Sequence, residues 1–252
     1  MLRAGVCSVT FRKLPPQEVI RLAAQAGLQG IEWGGDIHVP HGDLQAAREV
    51  ARQTREAGLV VSSYGSYYRA GHGDELPFEK VLATAKELGA PVIRVWAGKQ
   101  GSREASPEYW QRVVDDSRNI AQSASREGVT ICYEFHGNTL TDTGESARRL
   151  LEAVAHPAVR TYWQPRVEQS LLPNLRDLRR LMPWLVNVHA FWWSSSGERC
   201  PLQEGEKAWS RFLQVVHLSQ REHWILLEFV RGDSAEAFLQ DARTLHRWLS
   251  AG

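Results

Sequence analysis

Amphipathic stretches and short β-prone runs alternate along the whole chain. Leu22-Ala-Ala-Gln-Ala-Gly27 leads into Gln29-Gly-Ile-Glu32, and Gln53-Thr-Arg-Glu-Ala-Gly58 into Leu59-Val-Val-Ser-Ser63. Ala83-Thr-Ala-Lys-Glu-Leu-Gly89 leads into Val92-Ile-Arg-Val95, and Ser123-Ala-Ser-Arg-Glu-Gly128 into Thr130-Ile-Cys-Tyr133. In each, a helix-forming segment closes on a glycine, which suits the left-handed C-terminal position, and an apolar run follows. Pro15-Pro16, Pro77, Ser106-Pro107 and the capping-box-like Asp233-Ser-Ala-Glu236 mark helix starts. Eight strands are predicted, at about 3–8, 29–34, 59–63, 92–96, 130–135, 159–164, 185–190 and 224–229, with a last helix over about 234–249.

Strands that alternate with helices imply a parallel sheet. Eight such units in 252 residues fit a single (β/α)8 TIM barrel spanning 1–252. An open doubly wound sheet is the alternative. It is disfavoured because neither a Gly-x-Gly-x-x-Gly after the first strand nor a Walker-type phosphate loop is present.

Charge narrows the partners. Thirty Lys+Arg balance 29 Asp+Glu, so no general attraction to nucleic acid or anionic membrane is expected. No apolar run is long enough to span a bilayer and no signal-peptide pattern opens the chain. Three scattered cysteines, Cys7, Cys132 and Cys200, make no disulfide framework. A reduced, cytoplasmic protein is expected, with homo-oligomerisation through the barrel helices as an option.

A barrel carries its chemistry at the C-terminal strand ends. Strand 5 ends in Tyr133-Glu134-Phe135-His136, strand 6 in Trp163-Gln164, strand 7 in His189-Ala190 and strand 8 in Leu227-Glu228-Phe229. Glu134, Gln164, His189 and Glu228 form an O/N donor set suited to one hard or borderline divalent cation, Mn²⁺ first, with Mg²⁺, Co²⁺ or Zn²⁺ as alternatives. A lone strand histidine is more often a satisfied core residue. A glutamate inside Ile-Leu-Leu-Glu228-Phe-Val is harder to explain structurally, because an unpaired buried carboxylate is costly.

At these residues the chain resembles the xylose-isomerase-like TIM barrels, the sugar phosphate isomerase/epimerase superfamily. The resemblance runs from Ala23-Ala-Gln-Ala-Gly27-Leu-Gln-Gly30-Ile-Glu32-Trp33 to Leu227-Glu228-Phe229 and the final helix. It implies a divalent metal on Glu134, His189 and Glu228. Gln164 stands where the family usually has Asp, and Val167 where a His often follows. With Gln164 the donors carry two negative charges, which implies a more exchangeable ion.

Of the ten tryptophans, Trp33, Trp96, Trp163, Trp192 and Trp193 fall at or just past strand ends, as do Tyr64, Tyr67 and Tyr68. Aromatic faces beside polar groups suit a polyhydroxylated sugar or sugar derivative. Ser194-Ser-Ser-Gly197-Glu-Arg199 and Arg231-Gly232 lie where barrels often bind phosphate, but a plain polar loop fits them at least as well and an unphosphorylated substrate is preferred. His136, Trp33, Trp96, His38, Tyr64, Arg94 and Trp192 are the candidate substrate contacts. The resulting expectation is a metal-dependent sugar isomerase or epimerase. Glu134 and Glu228 act as an acid/base pair through an enediolate. The alternatives are a lyase or dehydratase on a keto-sugar, keto-inositol or 3-keto-glycoside, and a non-catalytic sugar-binding barrel.

Overall fold

The computed structural model describes residues 1–250. Its eight strands are β1 (Leu2–Cys7), β2 (Gly30–Gly34), β3 (Val60–Arg69), β4 (Val92–Trp96), β5 (Thr130–Tyr133), β6 (Val159–Trp163), β7 (Leu185–Ala190) and β8 (His223–Leu227). The helices are α1 (Pro16–Gln25), α2 (Leu44–Glu56), α3 (Phe78–Leu88), α4 (Pro107–Arg126), α5 (Gly144–Val154), α6 (Leu171–Leu181), α7 (Glu206–His217) and α8 (Ala235–Ser250). Each strand pairs in parallel with the next, and β8 pairs back onto β1, so the barrel is closed.

The helix punctuation behaves as the sequence suggests. Gly27, Gly58, Gly89 and Gly128 all take left-handed φ values just past helix ends. Ser106 caps α4 by accepting from the Tyr109 N–H, with Pro107 at the first helical position. At α8 the cap is Ser234, which accepts from the Ala237 N–H. Asp233 lies in the preceding 3-10 turn.

Three strands differ from expectation at their C-terminal ends, β8 by stopping at Leu227. β3 runs to Arg69, because after a break in register past Gly65 the chain pairs again, Arg69 with Trp96. The intervening residues bulge, and Tyr67 takes a φ of 58°. β5 stops at Tyr133, where the loop takes over the backbone: Thr141 Oγ1 donates to the Glu134 carbonyl.

Apolar packing forms two shells. Inside the barrel, Cys7, Val92, Cys132, Tyr162, Trp224 and Leu226 stack as one cluster. A second, larger cluster fills the space between sheet and helices. The floor of the interior needs two glycines: a Cβ on Gly5 would lie 2.7 Å from Leu226, and one on Gly30 2.7 Å from Trp224. The Trp224 indole thus fills the space left by two absent side chains and plugs the bottom of the barrel.

On α8, Asp241 is buried and accepts from the Leu202 N–H at 2.8 Å. Burial pushes its carboxyl up to about 6, and that bond and Arg231 offset only part of the shift. A carboxyl raised above its unfolded value adds stability that is fully present below about pH 4 and lost as pH rises through about 6. Asp241→Asn keeps the acceptor oxygen and removes the charge. It should stabilise the protein by about 1 to 2 kcal/mol at pH 7.5 and by nothing at pH 4. Urea titrations at the two pH values check this, and an equal effect at both would refute it.

Candidate active site

Strand alternation decides which side chains reach the axis. On β2 Glu32 points in and Trp33 points out; on β4 Arg94 points in. Glu134 and Glu228 follow directly after β5 and β8, yet their backbone N–H groups still bond the neighbouring strands, to Val95 O and Ala190 O. This ties both carboxylates to rigid sheet rather than to free loop.

Three expected ligands converge on the fourth. Around His189 Nδ1 lie Gln164 Oε1 at 2.9 Å, Glu228 Oε2 at 3.4 Å and Glu134 Oε1 at 4.0 Å. The opposite ring nitrogen, Nε2, faces Glu32 Oε1 at 3.5 Å. A carboxylate behind a histidine fixes ring orientation and tautomer, the usual support for a metal-binding imidazole. Burial opposes charge on His189, but Glu228 and Glu32 outweigh it and raise the imidazole above its ordinary value. The same negative field attracts a cation, and a metal competes with the proton for the ring.

Glu32 is the centre of a second network. It accepts from Arg94 Nε at 2.9 Å, Ser63 Oγ at 2.8 Å and Tyr162 Oη at 2.8 Å. Burial alone would raise this carboxyl; Arg94 and His189 reverse the shift and hold it well below the usual range. Arg94 also forms an ion pair with Glu134. Glu32 and Arg94 cancel in charge, so Glu134 and Glu228 leave two negative charges in the group. That sum and the O/N donors around His189 fit one divalent ion. Ligand-capable atoms of Cys7, His189 and Glu228 also lie within 4.8 Å of one another. Burial raises the Cys7 thiol far above its ordinary value, which keeps it protonated.

Above these groups opens a cavity of about 210 Å³, lined by Glu134, His136, Gln164, Phe191, Trp193, Glu228 and Phe229 among others. His136 stacks on Trp96 with ring centroids 4.5 Å apart, and Arg69 covers the indole's ring at 4.1 Å. Phe229 takes a φ of 56° directly after Glu228. Positive φ at a bulky residue costs energy and recurs at functional sites.

Of the predicted substrate contacts, Arg94, Trp96 and His136 meet at this end of the barrel. Trp33, His38, Tyr64 and Trp192 are placed elsewhere. Trp33 lies wholly buried in the outer shell, because its neighbour Glu32 takes the inward position. The two ring nitrogens of His38 are taken up by Ser8 Oγ and Leu14 O. Tyr64 is also in the outer shell and donates to Val39 O. Trp192 packs beside Gly205 and lines an adjoining cavity. Glu32 joins the candidate site, and a carboxylate inside the apolar run Gly30-Ile-Glu32-Trp33 is the same sequence signal as Glu228.

The family described as the xylose isomerase-like TIM barrel matches residues 20–250, and the chain belongs to it. A 3-dehydroshikimate dehydratase of Bacillus anthracis is 24% identical over 203 residues, covering 75% of this chain and 71% of that protein. A xylose isomerase-like TIM barrel protein from Mycobacterium smegmatis, in complex with magnesium, superposes with a TM-score of 0.75 at 15% identity, over 99% of this chain and 97% of the other. A 3-keto-D-glucoside 4-epimerase from E. coli superposes with a TM-score of 0.73 at 19% identity, over 98% and 99%. Among the described residues no helix is long and apolar enough to cross a membrane.

Proposed function

We propose that this protein is a divalent-metal-dependent enzyme that moves a proton next to a carbonyl of an unphosphorylated sugar or sugar derivative, as an epimerase or isomerase. The observation that carries this reading is the convergence of Gln164, Glu134 and Glu228 on His189 Nδ1. Those four residues would hold the ion, Mn²⁺ by preference, and the magnesium complex of the Mycobacterium smegmatis relative supports a divalent ion here. Such an ion supplies Lewis-acid stabilisation of the charge that develops on the carbonyl oxygen.

The protein's own groups do the rest. Burial raises the Glu228 carboxyl, despite the opposing pull of His189, which suits it to take up a proton. Arg94 fixes the Glu134 carboxyl on the other side of the site, where, after taking up a proton from solvent, it returns that proton to the carbon. Return to the opposite face of the same carbon gives epimerisation; return to the adjacent carbon gives isomerisation. His136 and Trp96 offer a stacked wall for a sugar face. Phe191, Trp193 and Phe229 screen the opposite side from water.

A second reading is a dehydratase, favoured by the 24% identity to the Bacillus anthracis enzyme. It shares the proton abstraction and then expels a β-hydroxyl. NMR in D₂O over a panel of ketoses and keto-glycosides, with added Mn²⁺, tests both. The proposal expects deuterium at the carbon next to the carbonyl, metal-dependent and without loss of water. Dehydrated product would favour the second reading. No exchange with any member of the panel, and no metal retained by the protein, would overturn the assignment.

A further inference from the structure

Beside the axial cavity lies a second one of about 150 Å³. Its apolar walls are Leu171, Phe191, Trp192, Trp193, Ala208 and Phe212, contributed by α6, the loop after β7 and α7, while Arg166, Gln169, Ser170 and Asn174 line the side next to the loop after β6. Pro165, Arg166, Val167, Phe191 and Trp193 border both cavities, so the two abut at the residues that close the reaction site. A short antiparallel turn pins this edge: Trp193 pairs with Arg199, and the Cys200 N–H donates to Trp192 O at 2.9 Å. Two polar atoms at its border are buried without a hydrogen-bond partner among the described residues, Trp193 Nε1 and Gln169 Oε1.

The size is informative. An apolar protein cavity of about 150 Å³ accommodates a benzene ring. Asn174 and Arg166 are engaged with backbone groups and Glu168, so the walls left to a ligand are mostly aliphatic and aromatic and offer little to a sugar's hydroxyls. We infer that the substrate carries a ring-sized apolar substituent, an aryl aglycone with at most one or two polar positions, which lodges in this side chamber while the sugar occupies the axial cavity. The inference rests on the axial cavity being the reaction site, and it narrows the substrate class to aryl glycosides of a keto-sugar type.

The test separates the chamber from the chemistry. Phenol is titrated into metal-free protein and followed by saturation-transfer NMR. Binding is expected in the wild type and should weaken at least tenfold in Ala208→Leu, which fills the chamber from α7. Leu171→Trp, on α6, fills it independently of any change in the α7 packing and does not border the axial cavity. Phenyl β-D-glucoside should bind the Mn²⁺-loaded protein at least tenfold more tightly than methyl β-D-glucoside, with the preference lost in both variants. Absence of phenol binding, or a phenyl preference unchanged in both variants, overturns the chamber assignment. Phenol binding without any solvent-proton exchange on the ketose panel would instead overturn the proposed reaction and leave the chamber in place.

Discussion

Replacing Arg94 with methionine should lower folding stability by about 3 to 5 kcal/mol, the cost of leaving buried charge without its partner. Arg94 is 1% exposed and engages two carboxylates, Glu32 and Glu134, which are themselves almost fully buried. Burial disfavours the guanidinium charge, yet Glu134 and Glu32 more than restore it. Methionine fills similar space and supplies no donor. Glu32 keeps Ser63 and Tyr162 as hydrogen-bond donors but loses its nearest positive charge. Glu32→Gln should cost less, because Arg94 retains Glu134. The double variant Glu32→Gln/Arg94→Met should recover a large part of the loss, since only Glu134 then lacks its partner. Urea unfolding with EDTA present, run as a double-mutant cycle, measures this coupling. A loss under 1 kcal/mol for Arg94→Met would mean that the carboxylates do not depend on the guanidinium.

This network also shows what could and could not be seen in the chain. Eight apolar runs, separated by helix-ending glycines and helix-starting prolines, were enough for the barrel, because punctuation and period are local properties. Glu134, His189 and Glu228 were legible because each interrupts an apolar run at a strand end, and the resemblance matched them one by one. Parity within a strand was not legible. Glu32 and Trp33 are adjacent, yet one faces the axis and the other the helices, and sequence does not say which. His38 looked available because its partners, Ser8 Oγ and Leu14 O, are distant in sequence. The bulge that returns β3 to Trp96 depends on a left-handed tyrosine, which no propensity suggests. The side chamber arises where α6, α7 and the loop after β7 meet, a relation that only closure of the barrel creates.

Glu134→Gln and Glu228→Gln should each slow epimerisation by about a thousandfold, within the range expected for loss of a positioned acid or base. Both side chains are also proposed ligands, so the comparison belongs at saturating Mn²⁺, with bound metal measured in parallel. The two variants should differ in kind as well as rate. If Glu228 removes the proton from one epimer and Glu134 from the other, each variant keeps one functional base. Glu228→Gln should then still exchange solvent deuterium into the epimer served by Glu134, without inverting it. Glu134→Gln should show the mirror-image preference. A dehydratase would show no such exchange symmetry, since elimination needs a single base on one face. Arg94 sharpens the contrast, because neutralising Glu134 leaves the guanidinium only Glu32, whereas neutralising Glu228 leaves both of its ion pairs intact. Glu134→Gln should therefore also lose more folding stability than Glu228→Gln. Wild-type epimerisation in either variant, with metal bound, would end the two-carboxylate mechanism.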